Sequence, residues 1–193
     1  MGNLPKNHSP EAMEEFFQSG PDPFKYQTDD HVARAEQYTA LVSRHTKFGL
    51  ARRLLDVGCG EGYLTHVLSD AAEHTVGIDV SQTAIARAKV AYSDLDEMLE
   101  FRQVDFLQLR TRKFDCLVLT AVLPYFDSRW DQFMVTVDRL LKKGGLVVTS
   151  FVSEGCVTDP WISRLEGDLL ERVDTVEFTC NGLKHRAHLL RKK

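Results

Sequence analysis

The chain predicts an α/β fold: a three-layer sandwich around a seven-stranded, mostly parallel sheet that closes in an antiparallel hairpin. Three observations carry this. From Leu54 onward, short apolar runs alternate with amphipathic helical segments, the pattern of strands and crossover helices in a parallel sheet. The run Leu54-Leu55-Asp56-Val57 meets the alternate glycines Gly58, Gly60 and Gly62, where a strand would hand over to a helix. Towards the C-terminus, Val176, Phe178 and Cys180 alternate up to Asn181-Gly182, and another extended run follows to Leu190. That reads as a two-residue hairpin turn with positive φ at both positions.

Taken in order, residues 1–21 are polar around one short helical patch at 11–17, which predicts a lid, an arm or partial disorder. Residues 22–193 form a single domain, with a lid helix region over 22–50 and the core over 51–193. A helix over 29–44 starts at Thr28, Asp29 or Asp30 as cap and ends before Gly49. Strands are predicted over 54–57, 75–79, 100–104, 114–120 and 146–151. Trp130, Phe133, Met134, Val137, Leu140 and Leu141 recur at helical spacing, with Gly144-Gly145 as the stop. Trp130 belongs to that stripe and so to the core. A further helix over 160–173 has Asp159 as cap and Pro160 in its first turn.

At 193 residues and 43% hydrophobic content, the chain suits one domain with a full core. A formal net charge of -4 argues against nucleic acid as the main partner, since phosphate binding needs a basic stripe. No apolar run approaches the roughly 20 residues that cross a bilayer, and the N-terminus, with Lys6, His8 and Pro10, lacks an apolar signal segment. The expectation is a cytoplasmic protein without membrane contact, as a monomer or weak homodimer. Cys59, Cys116, Cys156 and Cys180 are scattered and read as reduced thiols; His185 and His188, three apart on a strand, point to opposite faces. No metal site is expected.

The glycine spacing narrows the ligand. A dinucleotide-binding loop reads G-x-G-x-x-G, whereas this loop reads G-x-G-x-G behind Asp56. Taken with Gly77-Ile78-Asp79-Val80-Ser81, Val104-Asp105-Phe106, the 114–125 segment and the Gly144-Gly145 turn into Leu146-Val147-Val148, it resembles the class I, Rossmann-like S-adenosylmethionine-dependent methyltransferases. Five segments in the right order cover most of the chain. The resemblance implies S-adenosylmethionine as cofactor and S-adenosylhomocysteine as product.

Asp79 lies 21 residues after Gly58 at a strand end, where one carboxylate can accept from both ribose hydroxyls. Asp105 can accept from the adenine amino group while the Phe106 amide donates to the ring, and Ile78, Val80 and Phe106 wall the base. Asp56 and the carbonyls around Gly58 and Thr120 suit the methionine ammonium. Cys59, Gly60, Gly62 and Ala121 complete the cofactor set. A helix cap at Asp79 and a turn at Asp105 are the structural alternatives. Where the acceptor must lose a proton, Tyr125, Asp127 and His31 are the candidate bases. Tyr125 also suits a wall, Asp127 a helix cap and His31 a helix surface.

Asp22-Pro23-Phe24-Lys25-Tyr26 resembles the D-P-W/F-x-Y segment of nodulation protein S-like N-methyltransferases, which methylate an amine on a sugar, and Leu123-Pro124-Tyr125-Phe126 is similar to the same group. The resemblance implies that Tyr26 closes over the methionine end of the cofactor. It also implies a small-molecule acceptor, an amine nitrogen of a sugar-like or natural-product substrate. The alternatives are a macromolecular acceptor (RNA or protein), a nicotinamide oxidoreductase and a non-catalytic nucleotide-binding protein.

Overall fold

β1 (Leu54–Val57) is buried at all four positions, which a strand achieves only at the centre of a sheet covered on both faces. It pairs in parallel with β2 (Thr75–Asp79) on one side and β4 (Phe114–Val118) on the other. β3 (Leu99–Gln103) and β5 (Leu141–Val152) extend the parallel sheet outward. β7 (Leu183–Lys192) runs antiparallel between β5 and β6 (Leu170–Cys180). The order is β3-β2-β1-β4-β5-β7-β6 in the computed structural model, which describes residues 9–25, 28–95, 97–152 and 160–193. The hairpin turns at Asn181 (φ 51°) and Gly182 (φ 73°), the paired left-handed torsions of a type I′ turn.

The two faces of the sheet carry separate cores. Leu55 and Val57 pack against Phe133, Val137 and Leu140 of α5 (Trp130–Leu140). Leu54 packs with Tyr38, Leu41 and Val42 of α2 (Asp29–His45). Because side chains alternate along a strand, Asp56 shares the face of Leu54, under α2 and α3 (Tyr63–Leu68).

Several boundaries differ from those predicted. β3 sits one residue earlier and β4 stops at Val118, which leaves Thr120 in a loop. α5 ends at Leu140 and β5 begins at once. Gly144 and Gly145 are therefore not the helix stop; they lie where the β4–β5 register shifts between Phe114–Leu141 and Cys116–Leu146. The helix expected over 160–173 ends at Leu165 (α6, Pro160–Leu165), and residues from Leu170 join β6. Burial of Leu170 opposite Lys192 at the foot of the hairpin outweighs the local helical pattern. The proposed cap Asp159 and the thiol Cys156 lie outside the described residues.

The N-terminal segment is anchored by its own helix, α1 (Pro10–Gln18), capped by Ser9. Met13 and Phe17, four residues apart and so on one side of the helix, pack on Ala84 of α4 (Gln82–Ala91) with Phe16, Phe24 and Val80. On the same contact, Glu14 accepts from Ser81 Oγ at 2.5 Å, Thr83 Oγ1 at 2.6 Å and Thr83 N at 3.2 Å, at the amino end of α4, where a carboxylate is favoured. Desolvation works against the charge, but these hydrogen bonds prevail and bring its pKa down to about 2. Glu14→Ala is expected to raise hydrogen exchange across α1 roughly tenfold, leaving the central strands unchanged. Equal exchange in both proteins would show that the apolar contact alone holds the helix.

Candidate active site

The chain leaves β1 for β2 on one side and reaches β4 on the other, so the loops beyond β1 and β4 part and leave a crevice at the carboxyl ends of the strands. Its volume is about 810 Å³. The glycine loop forms the floor. Gly58 (φ 74°) and Gly60 (φ 53°) hold left-handed torsions. A Cβ on Gly58 would stand 2.6 Å from Val122 Cγ1, and one on Gly60 would stand 3.3 Å from the Phe17 ring. The loop amides are already directed: Gly58 N and Cys59 N donate to the Ile78 carbonyl at 2.8 and 3.0 Å.

Asp79 ties two edges of the crevice together. One carboxylate oxygen accepts from Gly60 N and the other from Ser81 N, each at 2.9 Å. Burial pushes its pKa up while these amides and that of Val80 hold it down. Ser81, not Asp79, is the cap of α4, its Oγ accepting from Ala84 N at 3.1 Å. Asp105 heads a short 3₁₀ turn, accepting from Leu107 N at 2.9 Å, and meets Arg129 at 3.3 Å. Ile78, Val80 and Phe106 lie on the wall between these carboxylates, with Thr120, Ala121 and Tyr125 across the crevice. Ala121 takes φ 57°, a torsion that costs a residue with a Cβ about 1 to 2 kcal/mol. Such strain at a crevice lip marks a backbone held in place by its surroundings.

Two cofactor assignments change, at Asp56 and Gly62, and the surface alternative for His31 falls. Asp56 does not line the crevice: it lies beneath the loop, accepts from Thr65 Oγ1 at 2.7 Å, and burial raises its pKa to about 7. Strand alternation turns it away from the space where an ammonium would sit. Gly62 (φ 86°) is also off the wall; its missing side chain makes room for the Phe101 ring, 2.6 Å from where a Cβ would be. His31 is not a surface residue. It is 8% exposed and lines the crevice, with Nε2 3.0 Å from the Asn181 amide nitrogen and Nδ1 3.8 Å from Cys180 Sγ. Burial, then the Arg34 charge, holds its pKa below the ordinary value.

Cys59 lines the crevice as a buried thiol whose pKa burial drives well up. Tyr26 lies outside the described residues. Asp127 pairs with Arg164 at 2.5 Å on the surface. Trp130 packs on Phe133 and Trp161, as its helical stripe predicts. The three described cysteines are free. No cluster of metal-ligating side chains occurs among the described residues, and no helix there is long and apolar enough to cross a membrane.

Sequence reading offered a lid among its alternatives for residues 1–21 but missed the hairpin wall. Met13, Phe16 and Phe17 of α1 line the crevice, with the Phe17 ring beside Gly60, and Cys180, Asn181, Leu183 and His185 of the hairpin line it too. The four-residue spacing of Met13 and Phe17 carried a signal for the first. The hairpin residues carried none, because their place depends on β7 lying beside β5.

This fold and glycine-floored, carboxylate-edged crevice define a Rossmann-like domain of the nucleoside-cofactor-binding class. Residues 55–149, about half of the chain, match the family model described as a methyltransferase domain. A probable S-adenosylmethionine-dependent methyltransferase of Mycolicibacterium smegmatis is 29% identical over 101 residues, 51% of this chain and 37% of that protein. A ubiquinone biosynthesis O-methyltransferase of Brucella anthropi is 31% identical over 103 residues, 52% of this chain and 41% of that protein. The chain thus spans less than half the length of these relatives. The crystal structure of the N-methyltransferase NodS from Bradyrhizobium japonicum WM9 with S-adenosylhomocysteine superposes with a TM-score of 0.75 at 21% identity, covering 94% of this chain and 97% of that one. Residues 55–149 are thus a methyltransferase domain, and the chain takes the fold of the class I S-adenosylmethionine-dependent methyltransferases.

Proposed function

We propose that the protein transfers the methyl group of S-adenosylmethionine to a small-molecule acceptor, an amine nitrogen on a sugar-like or natural-product substrate. The observation that carries the small-acceptor reading is a crevice of bounded volume, lined by residues of α1 and of the β6–β7 hairpin. Its volume falls within the roughly 300–1,000 Å³ of small-ligand sites, room for a nucleoside cofactor with a modest acceptor beside it. The net charge of -4 weighs against RNA. The nitrogen preference rests on the segments around Phe24 and Tyr125 and on the fold shared with an N-methyltransferase. A cytoplasmic setting accords with this reading.

The residues present fit the cofactor. The bare floor at Gly58 and Gly60 admits close approach that a Cβ would block, and Asp79 presents a carboxylate at the rim. When bound, the sulfonium supplies an activated methyl group, so the reaction is an in-line displacement that needs no metal. The protein's part is to align the acceptor and exclude water. Thr120, Ala121 and Tyr125, on the lip after β4, border the space where an acceptor would meet the methyl group.

The decisive experiment is methyl transfer from S-adenosylmethionine labelled in its methyl group to aminosugars, alkylamines, phenols and thiols. Label on an aminosugar or other amine is the expected result; label on phenols or thiols alone would overturn the nitrogen preference, and none would favour a binding protein. Tyr125→Phe is expected to lower turnover about tenfold, the worth of one hydrogen bond to the acceptor, with the dissociation constant for S-adenosylhomocysteine unchanged. Unaltered turnover would reduce Tyr125 to a wall.

A further inference from the structure

The hairpin wall carries a buried imidazole that lines the crevice. His185, near the start of β7, is 7% exposed and lines the cavity. Alternation places it on the face of Ala187 and Leu189, under α2, and it pairs with Val152 at the carboxyl end of β5, which also lines the crevice. Its ring lies flat on Phe178, centroids 5.5 Å apart and planes 9° from parallel. The Cys180 backbone lies near the ring, and a neutral imidazole keeps one nitrogen as an acceptor whichever nitrogen carries the proton. No described side chain donates to that nitrogen. His31 differs: both of its nitrogens face partners, Asn181 and Cys180.

We propose that His185 is the general base of methyl transfer, taking a proton from the acceptor nitrogen; this rests on the reading that the acceptor is an amine. An acceptor arriving as an ammonium gives one N–H proton to the unprotonated nitrogen of His185, which frees a lone pair. The lone pair attacks the methyl carbon; the N–C bond forms as the C–S bond breaks, and its electron pair returns to sulfur as a neutral thioether. The methylated nitrogen keeps the positive charge, and the imidazolium returns its proton to water. The groups whose charge or backbone acts on the ring are Arg34 and His31 from α2 and Cys180 from the turn. Asp22 and Asp30 act on His31 in the opposite sense. From β5 the facing residue is Val152, and Lys184 and Arg186 lie on the other side of β7. Burial, then Arg34, lowers the His185 pKa below its ordinary value, so the ring is neutral and able to accept at pH 7.

The test compares wild type, His185→Gln and His185→Asn on whichever amine the panel identifies, from pH 5 to 9, with calorimetric titration of S-adenosylhomocysteine as the check on folding. Turnover is expected to drop about 10² to 10⁴-fold near pH 7 with cofactor affinity unchanged. Wild-type turnover should fall on the acid side as His185 protonates. The deficit of the variants should shrink towards pH 9, where the acceptor is already a free amine. Retained turnover, or a loss equal at every pH, overturns the proposal. A second readout stands if no amine is methylated: diethyl pyrocarbonate with mass spectrometry on the wild-type complex with S-adenosylhomocysteine. Carbethoxylation of His185 ahead of His31 supports the base and assigns the failure to the amine reading; an unmodified His185 overturns the base itself.

Discussion

Gly62→Ala is expected to lower the melting temperature by about 5 to 15 °C. The residue sits at φ 86°, and its Cβ would come within 2.6 and 2.7 Å of two Phe101 ring atoms and 3.1 Å of the Ala88 Cβ. The torsion costs about 1 to 2 kcal/mol and the overpacking about 1 to 3 kcal/mol. In a domain of this length each kcal/mol moves the midpoint by about 2 to 4 °C. The ring has no easy retreat, since Phe101 is buried among Ile85, Ala88 and Leu99 with Cys59 on the loop side. Thermal unfolding followed by circular dichroism decides the matter, and a midpoint within 2 °C of wild type would refute this account. The same substitution at Gly144, where a Cβ meets nothing within 4 Å, isolates the torsional part.

Asp79→Ala is expected to weaken binding of S-adenosylhomocysteine by about 10- to 150-fold, the loss of charge-assisted hydrogen bonds worth roughly 1.5 to 3 kcal/mol. From sequence alone the unliganded fold should be spared. The geometry changes that expectation, because the carboxylate already accepts from Gly60 N and Ser81 N. Removing it leaves the buried Ser81 amide without a partner at about 1 to 3 kcal/mol, so the melting temperature should also fall by about 2 to 10 °C. Asp79→Asn keeps one carbonyl oxygen for an amide and should recover part of the stability without the full affinity. Calorimetric titration and thermal melts on both variants separate the two roles. Undiminished affinity in Asp79→Ala would remove Asp79 from the site.

The parallel core was legible because its signals are local. β1 and β2 fall on the predicted residues, since short apolar runs bounded by glycine or polar turns admit one period, and Asn181-Gly182 admits one turn. The failures share a cause as well. The segment after Leu165 carries a helical pattern, yet pairing of Leu170 with β7 claims it for the sheet. Asp56 stands beside the glycine loop in the sequence, but the two-residue period of β1 aims it at Thr65 instead of the crevice.

By itself the sequence determined the class of fold, the glycine floor and the acidic strand end at Asp79, because each depends on residues close together along the chain. Only the tertiary structure decided which side chains meet across the crevice. Phe17 from α1, Val122 from the loop after β4 and His185 from β7 reach it over long sequence separations, and strand order and side-chain alternation, rather than local preference, fix where they point.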